Sequence, residues 1–157
     1  MKKTGVFAGC FDPVTLGHVD IIKRSLEIFD SVHVLVGDSM SGKKHLYDAE
    51  RRLEMLKAAT ARFGEDRVEC LIWHGPLFKY CEKIGVSHII KGVRDSADFE
   101  YEKLLALQTK VLCPEVETLL LFSDHSLEHI SSSYVKGLIE YNMDVSGAVP
   151  EEIISML

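Results

Sequence analysis

Apolar positions along the chain follow two rhythms. Five short unbroken runs rich in β-branched and aliphatic residues read as strands: TGVFAG (4–9), SVHVLVG (31–37), RVECLIW (67–73), SHIIKG (87–92) and VETLLLFS (116–123). Between them apolar residues return every third or fourth place. In GHVDIIKRSLEIFD (17–30) they fall at Val19, Ile22, Leu26 and Phe29. In DAERRLEMLKAATARFG (48–64) they fall at Leu53, Leu56, Ala59 and Phe63. That spacing marks one face of a helix. Asp48 is placed to cap the second helix and Gly64 to end it. Further helices are predicted over 76–85, with Pro76 in the first turn, and over 98–113, with Phe99, Leu105 and Val111 among the apolar positions. Two more are predicted over 131–142, behind a serine cap, and over 150–157.

Strands that alternate with helices specify an α/β fold. The expected architecture is a single domain over residues 1–157: a doubly wound, Rossmann-like, five-stranded parallel sheet with right-handed crossovers and helices on both faces. The strands read as continuous apolar runs, as they do when both faces of a sheet are covered. Two irregular stretches, GDSMSGKKHLY (37–47) and SDHSLEHI (123–130), each follow a predicted strand. In an open parallel sheet, that end of the strands is where ligands bind.

Composition narrows the partners. The 157 residues are 46% hydrophobic and 27% charged, with a net charge of −6. An acidic chain lacks the broad basic face that nucleic acid requires, although a local basic pocket for a small anion stays compatible with it. No apolar run is long enough to span a membrane, and the N-terminus lacks the apolar stretch of a signal peptide, so the expected address is the cytoplasm. The four cysteines show no C-x-x-C pair, and the seven histidines show no ligand spacing such as H-E-x-x-H. A metal site built from protein side chains is not expected. Cys70, Cys81 and Cys113 read as small buried hydrophobes.

The first strand-to-helix connection, FAGCFDPVTLGH (7–18), is richer than a turn requires. Gly17 at the start of a helix lets a ligand approach backbone N–H groups at the positive end of the helix dipole. His18 follows at once and is placed to donate to a phosphate oxygen. Thr15 is placed either to cap the helix or to orient His18. Three other segments carry chemistry. In KGVRDSADFEYE (91–102), Lys91 and Arg94 flank Gly92 and Val93 where a strand ends, a spacing that suits a phosphate clamp or simply a solvated charged loop. In SGKKH (41–45), a glycine and two lysines suit phosphate capture or a solubilising pair. In ISSSYVK (130–136), Ser131, Ser132 and Ser133 offer cap oxygens and free N–H groups.

GCFDPVTLGH resembles the T/H-x-G-H signature of nucleotidyltransferases, here Thr15-Leu16-Gly17-His18. The longer string FDPVTLGH, with KGVRDSADFEYE, PEVETLLLFS (114–123) and ISSSYVK, is similar to the bacterial phosphopantetheine adenylyltransferase family along nearly the whole chain. The resemblance implies transfer of the adenylyl group of ATP to 4′-phosphopantetheine, giving dephospho-coenzyme A and pyrophosphate. It implies magnesium bound with ATP, a homohexamer, and coenzyme A as a feedback ligand. It makes His18 the transition-state stabiliser, with Lys43 and Arg94 beside it. It assigns Cys10, Phe11, Gly17, His18, Gly92, Val93, Arg94, Glu102, Leu127 and Ser131 to Ser133 to ATP, and Cys10, Lys43, Leu77, Lys91 and Thr109 to phosphopantetheine. Lys44 is the alternative to Lys43. The chain departs from the family pattern at Cys10 (threonine or serine in the family), Lys91 (arginine), Leu77 (methionine), the Gln108-Thr109 pair (Met-Asn) and Leu127 (an aromatic residue). A transferase of the same signature with another phosphorylated acceptor, and a catalytically silent nucleotide-binding module, remain as alternatives.

Overall fold

The computed structural model describes residues 2–37, 42 and 44–157. Five strands form one sheet: β1 (Thr4–Gly9), β2 (Ser31–Gly37), β3 (Val68–Trp73), β4 (His88–Val93) and β5 (Glu117–Phe122). Their order is β3-β2-β1-β4-β5, and every neighbouring pair is parallel. The connecting helices are α1 (Leu16–Ser25), α2 (Ala49–Thr60), α3 (Leu77–Ile84), α4 (Ser96–Leu112) and α5 (Ser132–Glu140). Short 3₁₀ segments cover Ala61–Phe63, His125–Leu127 and Glu151–Met156, so the last predicted helix is present in its tighter form. Among the described residues no helix is long and apolar enough to cross a membrane.

Successive strand residues point to opposite faces, and the core divides accordingly. Phe7, Val32, Val34, Val36 and Ile90 join α1, α2, α5 and the C-terminal Ile153 in the larger cluster. Val6, Leu35 and Ile89 join Tyr80 and Cys81 of α3, with Cys113 and Val116, in the smaller one. Cys70, Cys81 and Cys113 are all buried, and burial pushes the Cys81 thiol up to about 11. The second face is thinly covered. α4 contains no buried residue, and Val111 is 81% exposed. The reading of every strand as covered on both faces fails for β5, an edge strand whose residues are partly or fully exposed.

Two helices differ from their sequence reading. α1 stops at Ser25 rather than reaching Asp30. The Leu26 N–H is shared between the Ile22 and Lys23 carbonyls, and those of Glu27 and Ile28 reach back three residues, so the last turn tightens. No glycine or proline marks the change. In α2 the core face is Arg52, Met55, Leu56 and Ala59, with Leu53 only packed against its rim.

The position of the site follows from β1. It pairs with β2 over six residues but with β4 only at Val6–Ile89 and Phe7–Ile90. Beyond that point the two strands part at their carboxyl ends. This is also where strand order reverses, and the crevice between them is the fold's natural binding position.

Candidate functional site

A cavity of about 430 Å³ fills this crevice. Gly9, Cys10 and Phe11 line it from the end of β1, Gly17, His18 and Ile21 from α1, Lys91 and Gly92 from β4, Arg94 from the loop after it, Asp98 and Glu102 from α4, and Ser131, Ser132 and Ser133 from the tip of α5. Three stretches far apart in sequence thus meet in one place. The imidazole of residue 18 and the cations at 91 and 94 share that cavity, as the motif reading requires.

Thr15 does both of the things open to it. Its Oγ1 accepts from the His18 N–H at 3.4 Å, which caps α1, while its own backbone N–H donates to His18 Nδ1 at 3.0 Å. A backbone N–H can only donate, so Nδ1 carries no proton. The ring is neutral and holds its proton on Nε2. Phe11 supports the ring from the side, with centroids 4.9 Å apart at 73°. Phe11 takes a φ of 47°, in the left-handed region that costs a non-glycine residue roughly 1–2 kcal/mol, and its buried ring offsets that cost. Burial first, and the Arg94 charge second, push the His18 pKa down to about 4. The group that His18 brings to the cavity is therefore an uncharged N–H donor.

Two helix tips point into the same space. In the first turn of α1, the Leu16 N–H goes to Ala148 O at 3.0 Å and that of His18 to Thr15 Oγ1. Among the described residues this leaves the Gly17 N–H for an anion. A Cβ built on Gly17 would meet nothing closer than Thr15 Oγ1 at 3.6 Å, so the protein itself has room for a side chain there. At α5, Ser131 Oγ accepts from the Tyr134 N–H at 3.0 Å as the cap, and Ser132 Oγ donates to Pro13 O at 2.9 Å. Ser133 is exposed on the cavity wall.

Each cation has a carboxylate partner on α4. Arg94 Nε donates to Asp98 Oδ2 at 2.8 Å and Nη2 to Oδ1 at 3.2 Å. This two-pronged bond holds the Asp98 carboxyl below its usual range. Lys91 Nζ stands 3.5 Å from Glu102 Oε2, a buried oxygen that no hydrogen bond satisfies. Asp98 escaped the motif reading, although the four-residue step from Arg94 signals such a pair.

Other expected residues lie elsewhere. Val93 is buried in β4 and Leu77 packs on the smaller core cluster. Leu127 leans against the larger cluster from the 3₁₀ turn after β5. Thr109 sits on α4 seven residues beyond Glu102, about two turns along the same face. None of these four lines the cavity, and Lys43 lies outside the described residues. Lys44, its alternative, is exposed.

Comparison with known proteins agrees with this geometry. A cytidylyltransferase-like family model matches residues 6–138. A phosphopantetheine adenylyltransferase of Alkaliphilus metalliredigens is 38% identical over 155 residues, covering 99% of this chain and 97% of that protein. One from Dictyoglomus thermophilum is 41% identical over 152 residues, covering 97% of this chain and 91% of its own. Among solved structures, the lipopolysaccharide core biosynthesis protein from Thermoplasma volcanium superposes with a TM-score of 0.57 over 79% of this chain and 98% of its own. At 19% identity, that likeness speaks for the fold alone. The FDPVTLGH turn, the β1–β4 crevice and the full-length relatives converge: the chain belongs to the phosphopantetheine adenylyltransferase family, within the cytidylyltransferase-like group.

Proposed function

We propose that the protein transfers the adenylyl group of ATP to the phosphate of 4′-phosphopantetheine, releasing pyrophosphate and forming dephospho-coenzyme A. The observation that carries this reading is His18, its Nδ1 held by the Thr15 N–H, lining a cavity shared with two helix N-termini and with Lys91 and Arg94. An acceptor phosphate oxygen forms a bond to the α-phosphorus as the bond from that phosphorus to the pyrophosphate oxygen breaks. The attacking group is already an anion, so no strong base is needed. The protein's task is to align two polyanions and to stabilise charge that builds on the α-phosphate.

His18 Nε2 donates to an α-phosphate oxygen and keeps its proton throughout. Arg94, with the Gly17 N–H and the α5 serines, takes the ATP phosphates. Lys91 and the lysine at 43 or 44 take the acceptor phosphate, and Cys10 lies between the two sites. Glu102 belongs to the nucleotide side, and Leu77, Thr109 and Leu127 serve as outer contacts for the pantetheine and adenine ends. Magnesium bound with ATP would screen its phosphate charge. The cavity carboxylates Asp98 and Glu102 each face a cation, and the ATP phosphates would hold the magnesium.

We extend the proposal to a homohexamer working in the cytoplasm, with coenzyme A as a feedback ligand of the same cavity. The exposed apolar stripe of α4, together with Phe122 at 68% exposure, supports assembly. Coenzyme A joins the adenylyl and pantetheine halves that this cavity is proposed to hold. The deciding experiment supplies ATP and magnesium with phosphopantetheine, nicotinamide mononucleotide or a phosphorylated alcohol and measures pyrophosphate. Release with phosphopantetheine alone is expected. Release only with another acceptor would reassign the substrate, and ATP binding without release from any acceptor would make the protein a nucleotide-binding module.

A further inference from the structure

Asp12 follows directly on the cavity-lining Cys10 and Phe11, yet it is 1% exposed and stands behind the cavity wall. Its carboxylate gathers partners from two distant parts of the chain. Oδ2 accepts from the Lys136 ammonium at 2.6 Å and from the Leu46 N–H at 2.8 Å, while Oδ1 accepts from the Tyr47 N–H at 3.0 Å. His45 Nδ1 lies 3.4 Å from Oδ2. Burial alone would raise this carboxyl; the ammonium and the two backbone donors outweigh it and hold it below its ordinary range. A buried charge is costly unless it is paired and hydrogen-bonded, and apolar packing can join segments without that cost. What a carboxylate adds is register, because two successive N–H groups and one ammonium fit it in one arrangement only.

The segments joined are the ones that flank the cavity. Lys136 lies on α5, one turn beyond the serine cap. Leu46 and Tyr47 end the stretch that carries Lys44. α5 is tied to the FDP turn a second time, through Ser132 Oγ to Pro13 O, and is anchored in the core by Val135. The Leu46–Tyr47 backbone takes its alignment to that turn from Asp12. We propose that Asp12 and Lys136 form a positioning clasp for the acceptor side of the reaction. They set the approach of the 44–47 segment to the acceptor phosphate, while Ser132 and Val135 hold the nucleotide side independently. Both act through the Leu46 and Tyr47 backbone and neither touches the reacting atoms. The proposal rests on the adenylyl-transfer reading.

The test uses the full chain with Asp12→Asn, Lys136→Met and Lys136→Arg. Calorimetry gives ATP and phosphopantetheine affinities, pyrophosphate release gives KM and kcat, and thermal midpoints are followed alongside. Asp12→Asn and Lys136→Met are expected to weaken phosphopantetheine binding and raise its KM by about tenfold or more, with ATP affinity changed by less than about twofold. Lys136→Arg keeps the charge and should stay within about threefold of the parent protein. The double variant Asp12→Asn/Lys136→Met should lose little beyond the larger single loss, as members of one unit do. Equal weakening of both substrates, or a lowered thermal midpoint with unchanged affinities, overturns the clasp. Should Asp12→Asn fail to fold, Lys136→Met carries the same comparison, since the lysine side chain is 35% exposed. A parent protein that binds phosphopantetheine but releases no pyrophosphate overturns the adenylyl-transfer reading alone. One that binds no phosphopantetheine overturns both.

Discussion

At the scale of single residues, the site is organised around one imidazole whose tautomer is set by a backbone N–H and whose neutrality is set by burial and the Arg94 charge. His18→Ala should lower kcat by about two to three orders of magnitude while ATP affinity holds, because the lost donor acts on charge that develops in transfer. Steady-state kinetics alongside calorimetry will show the split, and an unchanged kcat would take His18 out of the mechanism. The ring's titration gives a second check. Its folded pKa of about 4 lies below its ordinary value of 6.5, so between these values the folded protein binds fewer protons than the unfolded chain. The stability that neutral His18 supports is complete above pH 6.5 and is lost as the pH falls toward 4. NMR of the imidazole nitrogens should show the Nε2–H tautomer at neutral pH and a midpoint well under 6.5. Gly17→Ala offers a sharper contrast. It removes a helical glycine, which favours the fold by about 0.5–1 kcal/mol, and it places a methyl group where a phosphate is proposed to lie. Thermal stability should hold or rise while ATP binding falls; a variant that binds ATP normally would move the phosphate elsewhere.

At the scale of elements, connections carried more information than helix faces. The strand spans, the 48–64 helix signals and the β1–α1 motif were legible because each rests on local chemistry: an unbroken apolar run, an N-cap aspartate, a glycine at a helix tip. Arg52 was not. Its residue type argues for solvent, yet the structure buries it at 1% exposure, donating to the carbonyls of Cys10 (2.8 Å), Gly37 (2.9 Å), Tyr47 (3.1 Å) and Asp48 (3.3 Å). Those acceptors come from two separate connections, after β1 and after β2, and Cys10 and Gly37 meet Arg52 only in the folded chain, so no local window contains the whole signal. Arg52→Met should lower stability by about 2 kcal/mol or more in urea unfolding, because it takes this donor from the half-buried carbonyls of Cys10, Gly37 and Tyr47. Asp98 shows the opposite case. Its step from Arg94 was readable, but carboxylates four residues from a cation are common on helix surfaces, and only the cavity distinguishes this pair.

At the scale of the whole molecule, the fold class and strand number could be read from the sequence, whereas the unequal covering of the sheet could not. α4 has an ordinary helical pattern, yet Leu104, Leu107 and Val111 are 54%, 58% and 81% exposed, spaced three and four residues apart along one stripe. The same leucine–valine spacing marks a buried face in most helices, so the chain alone does not say whether its own sheet or another copy covers it. Leu107→Glu combined with Val111→Glu should convert the proposed hexamer into smaller species by light scattering, with the fold retained by circular dichroism. An unchanged mass would show that copies meet through another surface.

The carboxylates that α4 sets against Arg94 and Lys91 have a consequence for how salt acts on this enzyme. On the proposed binding mode each incoming phosphate would trade places with an internal anion, so the number of ionic contacts would change less on binding than a tally of positive side chains suggests. Background electrolyte weakens the old partnership along with the new one. Affinity for the polyanionic substrates should accordingly decline gently with ionic strength, and neutralising Asp98 should steepen that decline.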